Sequence, residues 1–325
     1  MQSWLERQWY LIGPWHVLLL PLSMLFFLIV SVRRLLYRRG LLKVGKLPVP
    51  VIVVGNISVG GTGKTPLVIW LVEYLRQHGY RPGVISRGYG GTANQPMSVS
   101  MATDPFLAGD EPVLIARRTG CPVWVGKNRV ETGRALLRVR PDCDVLVCDD
   151  GLQHYALARD VEIAVVDGTR GFGNEFLLPA GPLREPLNRL LRVDAVVNNG
   201  GAGSAESVSM VLQGNLFRNL SDPARSAVAE DFSRQHLHAV AGIGNPERFF
   251  AQLEQMGLLV ERHAFPDHHP YRPDDLRFAG TQAILMTEKD AVKCAAFAQP
   301  NWWYLQVDAK IDEALGLNVL QQLRK

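Results

Sequence analysis

Residues 51–66 read Val-Ile-Val-Val-Gly-Asn-Ile-Ser-Val-Gly-Gly-Thr-Gly-Lys-Thr-Pro, and this stretch decides the fold. A run of apolar, mostly β-branched residues ends at Gly55, a glycine-rich loop follows, and a helical pattern of apolar residues continues from Leu67 to Leu75. Strand, loop and helix in this order are the context in which a glycine-rich loop binds phosphate. The stretch therefore predicts an α/β protein organised around a phosphate-binding loop.

The loop carries the groups that a nucleoside triphosphate requires. Glycines let backbone N–H groups turn toward phosphate oxygens, and the helix behind them points its free N–H groups at the same anion. We expect Lys64 to reach the β- and γ-phosphates and the Thr65 hydroxyl to bind Mg²⁺. The general pattern has a glycine where this chain has Ser58, and a glycine-rich turn with an exposed lysine is the alternative. The predicted ATP-binding residues are Ser58, Val59, Gly60, Gly61, Thr62, Gly63, Lys64 and Thr65.

Length and composition are those of a folded protein with more than one core. The chain has 325 residues, of which 47% are hydrophobic and 20% are charged, and its formal net charge is +4. Single hydrophobic cores stop growing near about 250–300 residues, so two α/β domains are expected. The cysteines have no paired C-x-x-C spacing, which predicts reduced thiols in the cytosol and disfavours a disulfide framework or a zinc site. They are Cys121, Cys143, Cys148 and Cys294.

The N-terminal segment predicts a membrane anchor. No Asp, Glu, Lys or Arg lies between Arg7 and Arg33, and this length suffices to cross a bilayer, which takes about 20 apolar residues. Pro14 and Pro21 leave a shallow or re-entrant anchor open. A cleavable signal peptide is disfavoured because Glu6 stands beside Arg7 and no small-residue cleavage site precedes the basic cluster. That cluster favours a cytoplasmic flank on an anionic lipid surface, and it comprises Arg33, Arg34, Arg38, Arg39, Lys43 and Lys46.

A second strand predicts the acid that organises a metal ion. Residues 144–151 read Asp-Val-Leu-Val-Cys-Asp-Asp-Gly, an apolar strand that ends in two aspartates. An aspartate in this position opposite a phosphate loop holds Mg²⁺. Because side chains alternate along a strand, Asp149 and Asp150 should point to opposite faces if the strand persists, with one of them facing the metal. A buried strand that ends in a polar turn is the alternative.

Other loops carry polar residues whose role the pattern alone leaves open. Arg87 follows a short strand and is either a phosphate contact or a surface arginine. Asp110 precedes a helix and is most simply an N-cap with a favourable dipole contact. Arg184 either binds an anion or pairs with an acid, and Asn245 lies in a loop that resembles a small-ligand edge loop. His268, in an Asp-His-His-Pro-Tyr run, is suited to moving protons or to orienting a base.

Short apolar strands alternate with helical stretches along the rest of the chain, which predicts parallel sheets covered by helices on both faces. Strand candidates beyond residue 151 are 161–167, 194–197, 208–212, 237–241, 283–286 and 302–307. We expect an anchor helix and its basic flank at 1–40 and a phosphate-loop α/β domain at 41–160. A second α/β domain is expected at 161–325, closing over the site, with the last strand or helix free to return to the first domain.

Together these motifs resemble the tetraacyldisaccharide 4'-kinase family, and the resemblance covers nearly the whole chain. The shared motifs lie at 55–66, 86–90, 109–112, 149–151, 178–185, 242–246, 267–268 and 287–290. Ser58 is itself shared with that family's loop. The resemblance implies two α/β/α domains of the P-loop type, joined by a short two-stranded linker, with a hydrophobic N-terminal helix at the cytoplasmic face of the bacterial inner membrane.

The resemblance also implies an activity and assigns roles. The family transfers the γ-phosphate of ATP to the 4'-hydroxyl of a tetraacylated glucosamine disaccharide 1-phosphate, a membrane glycolipid, and so makes lipid IVA in lipid A (lipopolysaccharide) synthesis. By this resemblance Asp110 is the catalytic base, assisted by His268, and Lys64 holds the nucleotide. Thr65, Asp149 and Asp150 serve Mg²⁺. The candidate contacts to the lipid substrate are Arg87, Arg184, Glu185 and Asn245.

Other classes of protein fit the sequence less well. A GTPase is disfavoured because residues 194–199 lack the lysine and the final acid of a guanine-reading Asn-Lys-x-Asp. Dimeric partition-type ATPases carry a lysine early in the loop, where this chain has Ser58 and Val59. A membrane-anchored nucleotide-binding adaptor without catalysis is the alternative from a different class. The cationic residues cluster beside the anchor, so no nucleic-acid partner is expected, and no obligate protein partner is evident.

Overall fold

The strands of this chain form one hydrogen-bonded sheet. The computed structural model describes residues 8–11, 13–201, 207–233 and 235–324. The strands are β1 Val51–Gly55, β2 Pro82–Ser86, β3 Met97–Val99, β4 Val123–Val125, β5 Val145–Asp149, β6 Val161–Asp167, β7 Ala195–Asn199, β8 Val208–Asn219, β9 Ser226–Ala227, β10 Leu237–Ala241, β11 Val260–Ala264, β12 Ala283–Thr287 and β13 Trp302–Ile311. Their order across the sheet is β11-β10-β12-β13-β8-β7-β6-β1-β5-β2-β4-β3, with β9 paired to β8.

Helices connect these strands. The α-helices of the described residues are α1 Pro14–Arg38, α2 Lys64–Gln77, α3 Pro105–Ala108, α4 Asp110–Thr119, α5 Arg129–Val139, α6 Pro246–Gln255, α7 Glu288–Cys294 and α8 Glu313–Leu323. Short 3₁₀ turns lie at Leu187–Arg192, Ala229–Phe232, Pro273–Leu276 and Ala295–Phe297. Helix α7 begins at Glu288 because the Thr287 side chain caps it by accepting a hydrogen bond from the Asp290 N–H at 3.1 Å.

The phosphate loop follows the central strand β1. This strand pairs in parallel with β5 on one side and β6 on the other. Every residue of β1 and β5 is buried, which accounts for their continuous apolar sequences. Because parallel strands end at the same edge of the sheet, the loops after Gly55, Asp149 and Asp167 meet there.

We call β1–β7 and their helices the phosphate-loop half, and β10–β12 and their helices the second half. The antiparallel pair of β8 and β13 joins these halves into one sheet. Helix α8 returns to the phosphate-loop half, where Leu315, Val319 and Leu320 belong to the same apolar core as Ile52. The predicted boundary at residue 160 falls between β5 and β6, which both pair with β1, so this division into domains stays a prediction.

Helix α1 is long and apolar enough to cross a membrane. Residues 1–7 of the predicted anchor lie outside the described residues. Pro21 lies inside the helix without ending it, and the Ser23 hydroxyl donates a hydrogen bond to the Leu177 carbonyl at 2.8 Å. The remaining surface is largely exposed and apolar: Trp15, Val17, Leu18, Leu22, Met24, Leu25, Phe27, Leu28, Ile29, Val32 and Leu35. An exposed apolar surface of this kind marks contact with lipid or with another protein.

Candidate active site

The phosphate loop, residues 56–63, is held by the end of strand β7, which lies two strands away from β1. Gly60 has a φ of +109° and Gly63 a φ of +94°, conformations that residues with a side chain rarely adopt. A Cβ on Gly63 would overlap the Asn199 amide, and the Nδ2 of this amide donates a hydrogen bond to the Thr62 carbonyl at 3.0 Å. Asn199 ends β7 and fixes the turn from which α2 starts, a role that the sequence pattern did not indicate.

A loop of the second half touches the phosphate loop. It runs through Gly242 to Asn245, between β10 and α6. A Cβ on Gly244 would overlap the backbone nitrogen of Gly61, so the two backbones are in direct contact. Beside this contact, Arg248 donates a hydrogen bond to Asp167, at the end of β6, over 2.6 Å. The second half therefore closes onto the nucleotide-binding edge of the sheet.

The predicted lysine and one of the two predicted aspartates form an ion pair. Lys64 Nζ lies 3.4 Å from Asp150 Oδ1, and Arg184 Nη1 lies 3.4 Å from Asp150 Oδ2. Burial alone would raise the pKa of Asp150, but the charges of Lys64 and Arg184 outweigh it and hold this pKa below the ordinary value. Asp150 has a φ of +49°, so the regular strand ends before it and the two neighbouring aspartates face different partners.

Asp149 is fully buried at the end of β5. The Ser86 hydroxyl donates to its Oδ2 at 3.0 Å, and its Oδ1 has no hydrogen-bond partner among the described residues. Burial, together with the negative charges of Glu111 and Asp150, raises the pKa of Asp149 to about 7. A buried carboxylate oxygen without a partner, among other acids and close to a phosphate loop, fits the oxygen ligands that Mg²⁺ prefers.

Asp110 lies at the start of α4, and its side chain is 4% exposed. The Nδ1 of His268 is 3.0 Å from its Oδ2, and the ammonium groups of Lys289 and Lys293 are each 3.9 Å from the same oxygen. Burial would raise the pKa of Asp110, but the His268 hydrogen bond and the two lysine charges lower it below its ordinary value. The carboxylate also accepts the Glu111 N–H at 2.9 Å, so the simpler helix-end role is present as well.

His268 comes from the second half, in the loop after β11. Its backbone has a φ of +60°, and its ring centroid lies 5.0 Å from that of Tyr89. Burial lowers the pKa of this imidazole, but the hydrogen bond to Asp110 more than compensates, so the pKa is raised. The pair therefore favours an imidazolium beside a carboxylate, with one partner from each half of the sheet.

Two lysines beside this pair were not predicted as site residues. Lys289 Nζ lies 3.1 Å from Glu111 Oε1 and 3.2 Å from Asp267 Oδ1, while Lys293 Nζ lies 2.8 Å from Asp290 Oδ1. Residues four apart on a helix share a face, so α7 presents both lysines to Asp110. The sequence signal for Lys289 was the Thr-Glu-Lys-Asp run at 287–290, a position for capping or for ligand contact, and Lys293 lies beyond this run.

The predicted contacts to a lipid substrate occupy different environments. Arg87 is exposed and Asn245 is half-buried, whereas Arg184 contacts Asp150 as described. Glu185 is fully buried, and its carboxylate accepts hydrogen bonds from the Gln153 amide and the Tyr155 hydroxyl. These internal partners let Glu185 position its loop, and its contact with a substrate stays a prediction.

An unpredicted histidine lies in the same arginine-rich region as Arg87. Burial and the positive charges of Arg129, Arg159, Arg33 and Arg87 lower the pKa of His154 to about 4. The field that lowers it is positive, so this side of the site is suited to a negatively charged group.

Known proteins are similar to this chain over nearly its full length. The family model described as tetraacyldisaccharide-1-P 4'-kinase matches residues 15–324. A tetraacyldisaccharide 4'-kinase of Methylobacillus flagellatus is 55% identical over 99% of this chain and 96% of its own length. The corresponding protein of Nitrosococcus oceani is 54% identical over 99% of this chain and 95% of its own length.

A solved structure has the same fold. It is the crystal structure of the "apo" form of LpxK from Aquifex aeolicus in complex with ATP, which is 31% identical, with a TM-score of 0.79 over 95% of this chain and 99% of the other. The predicted resemblance, the predicted α/β fold class with its N-terminal apolar helix and the predicted kinase activity are confirmed by these matches. With the family model covering nearly its full length, the chain belongs to the tetraacyldisaccharide-1-P 4'-kinase family.

Proposed function

We propose that this enzyme transfers the γ-phosphate of ATP to the 4'-hydroxyl of a tetraacylated glucosamine disaccharide 1-phosphate and so makes lipid IVA. Family membership supports the reaction. The observation that carries the assignment of residues is the contact of 3.0 Å between Asp110 and His268, which joins the two halves of the sheet beside the phosphate loop. Phosphoryl transfer depends mainly on alignment and on neutralising charge, and the residues around this contact supply both.

The phosphate loop holds the nucleotide. Its backbone N–H groups and the start of α2 face the bound phosphates, and Lys64 moves from Asp150 to the β- and γ-phosphates. Arg184 then remains paired with Asp150. Asp149 keeps its hydrogen bond from the Ser86 hydroxyl, so both aspartates have a partner with and without bound nucleotide.

A divalent metal ion is expected beside these acids. A bound Mg²⁺ would neutralise part of the negative charge on the transferred phosphoryl group. Thr65, at the start of α2, and the free Oδ1 of Asp149 would hold it, with Asp150 as a further ligand. Glu111 is close enough for its charge to raise the pKa of Asp149, so it is an additional candidate that the sequence pattern did not indicate.

Asp110 acts as the base in this proposal. It accepts the proton of the acceptor hydroxyl as that oxygen bonds to the γ-phosphorus and the bond to the leaving oxygen of ADP breaks. His268, Lys289 and Lys293 keep the carboxylate ionised before the reaction, since each stabilises its negative charge. Because base and imidazole come from different halves, the base is fully ordered when the halves are closed and water is excluded.

A phosphate-transfer assay tests the function directly. Enzyme, Mg²⁺, γ-labelled ATP and tetraacyldisaccharide 1-phosphate in detergent micelles should give a labelled lipid that carries one additional phosphate. Omission of the acceptor should leave little label in any product, since water is excluded from the closed site. Binding of ATP without transfer to the lipid would instead identify a nucleotide-binding adaptor and reject the proposed reaction.

Removal of His268 is expected to shift the pH dependence of the reaction. In His268→Ala the hydrogen bond that lowers the pKa of Asp110 is lost, so this pKa rises. A smaller fraction of the carboxylate is then ionised at mildly acidic pH, and the acid limb of the kcat/KM profile moves to higher pH. The profile is measured with saturating ATP and varied lipid acceptor.

His269→Ala is the matched control for this shift. His269 adjoins His268 in sequence, but its Nε2 lies 3.1 Å from Asp275, away from Asp110. Its acid limb should coincide with that of the unmodified enzyme. An unshifted limb in His268→Ala would contradict the proposed coupling between the imidazole and the base.

We further propose that the enzyme lies on the cytoplasmic face of the bacterial inner membrane. At the end of α1, Arg34 and Arg38 line a cavity of about 390 Å³ together with Arg192, which ends the 3₁₀ turn after Pro186. The charges of Arg38 and Arg34 lower the pKa of Arg192, so positive charge accumulates here. Leu191 beside them is 84% exposed. Basic side chains next to an apolar surface suit anionic lipid head groups.

Deletion of residues 1–32 is expected to separate lipid binding from nucleotide binding. Loss of the apolar helix should release the enzyme from vesicles that contain anionic lipid and raise the apparent KM for the lipid acceptor. The KM for ATP should change much less, because the phosphate loop is built from β1 and α2. Flotation with vesicles and steady-state kinetics measure the two effects, and equal lipid kinetics with and without the segment would contradict a positioning role.

A further inference from the structure

A second cluster of ligand-forming side chains lies at the far edge of the sheet. His236 immediately precedes β10, His238 is the second residue of β10, and Glu261 and His263 lie in β11, the edge strand. In the parallel register His238 pairs with Glu261, and Val240 pairs with His263. Because side chains alternate along strands, His238, Glu261 and His263 share one face, and His236 stands two residues before His238. Two neighbouring strands thus contribute a His-x-His and a Glu-x-His pair.

The ligand atoms of this cluster are close together. His236, His238 and Glu261 each offer an atom within 4.8 Å of the others. His263 adds a fourth group, since its Nε2 lies 2.8 Å from the Nδ1 of His238 and 3.8 Å from Glu261 Oε1. The Nδ1 of His238 is also 3.7 Å from Glu261 Oε2. Two nitrogens on one tetrahedral zinc ion lie about 3.3 Å apart, so the histidine pair needs to open by about 0.5 Å.

The surroundings of the cluster favour a bound cation. His238 is 2% exposed, so an ion bound to its Nδ1 is shielded from solvent on that side. Phe278 stacks on the rings of His263 and His238, with centroid distances of 3.9 Å and 4.6 Å, and forms an apolar wall. Glu261 is 58% exposed, so an ion can enter from solvent.

Electrostatics also prepare the cluster for a metal. Glu261 supplies one negative charge to offset part of the charge of a divalent ion.

We propose that His236, His238, Glu261 and His263 form a binding site for one Zn²⁺ ion. Three imidazoles and one carboxylate are ligands that zinc accepts in four-coordinate sites, and Mg²⁺ prefers oxygen ligands. On binding, the proton shared by the two histidines at 2.8 Å redistributes within the neutral rings, since both nitrogens become ligands. The site is separate from the proposed Mg²⁺ site and does not depend on the kinase reaction.

The role of the ion is structural. Among the described residues, β11 pairs with β10 alone, so it is an edge strand that extra cross-links stabilise. The chain leaves β11 at Ala264 and reaches His268 within a few residues. A metal that ties β11 to β10 therefore fixes the strand from which the His268 loop emerges, and its binding free energy adds to folding stability.

Metal titration of the full chain without an affinity tag tests the site. After chelation and dialysis, Zn²⁺ is added in the presence of excess Mg²⁺, which fills oxygen-ligand sites elsewhere, and free Zn²⁺ is read with a competing dye. We expect one equivalent of Zn²⁺ to bind and to raise the unfolding temperature. Co²⁺ in place of Zn²⁺ should give the visible absorption of a tetrahedral nitrogen-rich site. Hydrogen exchange of the β11 amides should slow when the ion binds.

The variants His263→Asn and Glu261→Gln test the ligands. Each should weaken Zn²⁺ binding by more than about tenfold. Mutation of residues that only hydrogen-bond to a metal ligand already lowers metal affinity by about tenfold or more. The control His78→Asn changes an exposed histidine beyond α2 and should bind Zn²⁺ normally. Circular dichroism and kinase activity without zinc verify that the variants are folded. Equal Zn²⁺ affinity in the unmodified chain and both ligand variants, or Co²⁺ bound with an octahedral spectrum, would overturn the proposal.

Discussion

Replacement of Asp110 by Asn is expected to lower the kcat of lipid phosphorylation by about 10²–10⁴-fold, the usual contribution of a positioned general base. The amide has nearly the shape of the carboxylate but cannot accept the proton of the acceptor hydroxyl. The KM for ATP should change little, because the nucleotide is held by the phosphate loop and Lys64. Steady-state kinetics with varied ATP and varied lipid acceptor measure both constants.

Asp104→Asn provides the matched control. Asp104 is exposed a few residues earlier, where it caps α3 by accepting the Phe106 N–H at 2.9 Å, and asparagine caps helices equally well. This variant should retain full activity, and thermal unfolding should show both variants folded. A kcat close to normal in Asp110→Asn would reject Asp110 as the base. Its role would then be to stabilise the start of α4, where it accepts the Glu111 N–H at 2.9 Å.

Replacement of Lys64 by Ala is expected to reduce kcat/KM for ATP by about 10²–10³-fold, the scale of losing one preorganised group that stabilises transition-state charge. The ammonium is expected to offset charge that develops on the β- and γ-phosphates. Its loss also leaves Asp150 with Arg184 as its remaining cationic partner, so the acid becomes less well neutralised. Nucleotide binding by fluorescence and single-turnover transfer separate weaker binding from slower chemistry.

Lys127→Ala is the corresponding control for Lys64. Lys127 also follows a strand of the phosphate-loop half, but its Nζ contacts the Asn94 side chain at 3.0 Å on the exposed surface. Its removal should leave both nucleotide binding and transfer unchanged. If Lys64→Ala bound and used ATP as well as Lys127→Ala does, the loop at 56–63 would not be the nucleotide site.

The local parts of the site could be predicted from the sequence because each is encoded within a few neighbouring residues. The apolar run before Gly55 and the helical pattern after Pro66 predict β1 and α2, and the glycines between them predict the turn. Asp149 and Asp150 were predicted in the same way from the strand before them. Buried parallel strands leave such continuous apolar patterns.

Contacts between distant parts of the chain could not be derived from pattern. Asp110 and His268 are 158 residues apart, and nothing in the local sequence at 110 distinguishes a base from an N-cap. The resemblance to a family supplied that pairing, whereas Lys293 and Asn199 were missed because each acts through a partner in another element. The two halves form one continuous sheet because β8 and β13 pair in antiparallel orientation. The positions of strands along the sequence do not reveal which strands pair.

The contact between Gly244 and the phosphate loop restricts how this enzyme can be recombined with its homologues. A side chain at 244 would press on the backbone nitrogen of Gly61, whereas a methyl group at 61 would meet Gly244 at an ordinary distance of 3.6 Å. The constraint is therefore one-sided. A hybrid made by exchanging C-terminal segments must inherit glycine at 244. Otherwise we expect the second half to stay apart from the phosphate loop, so that water reaches the bound ATP and hydrolyses it.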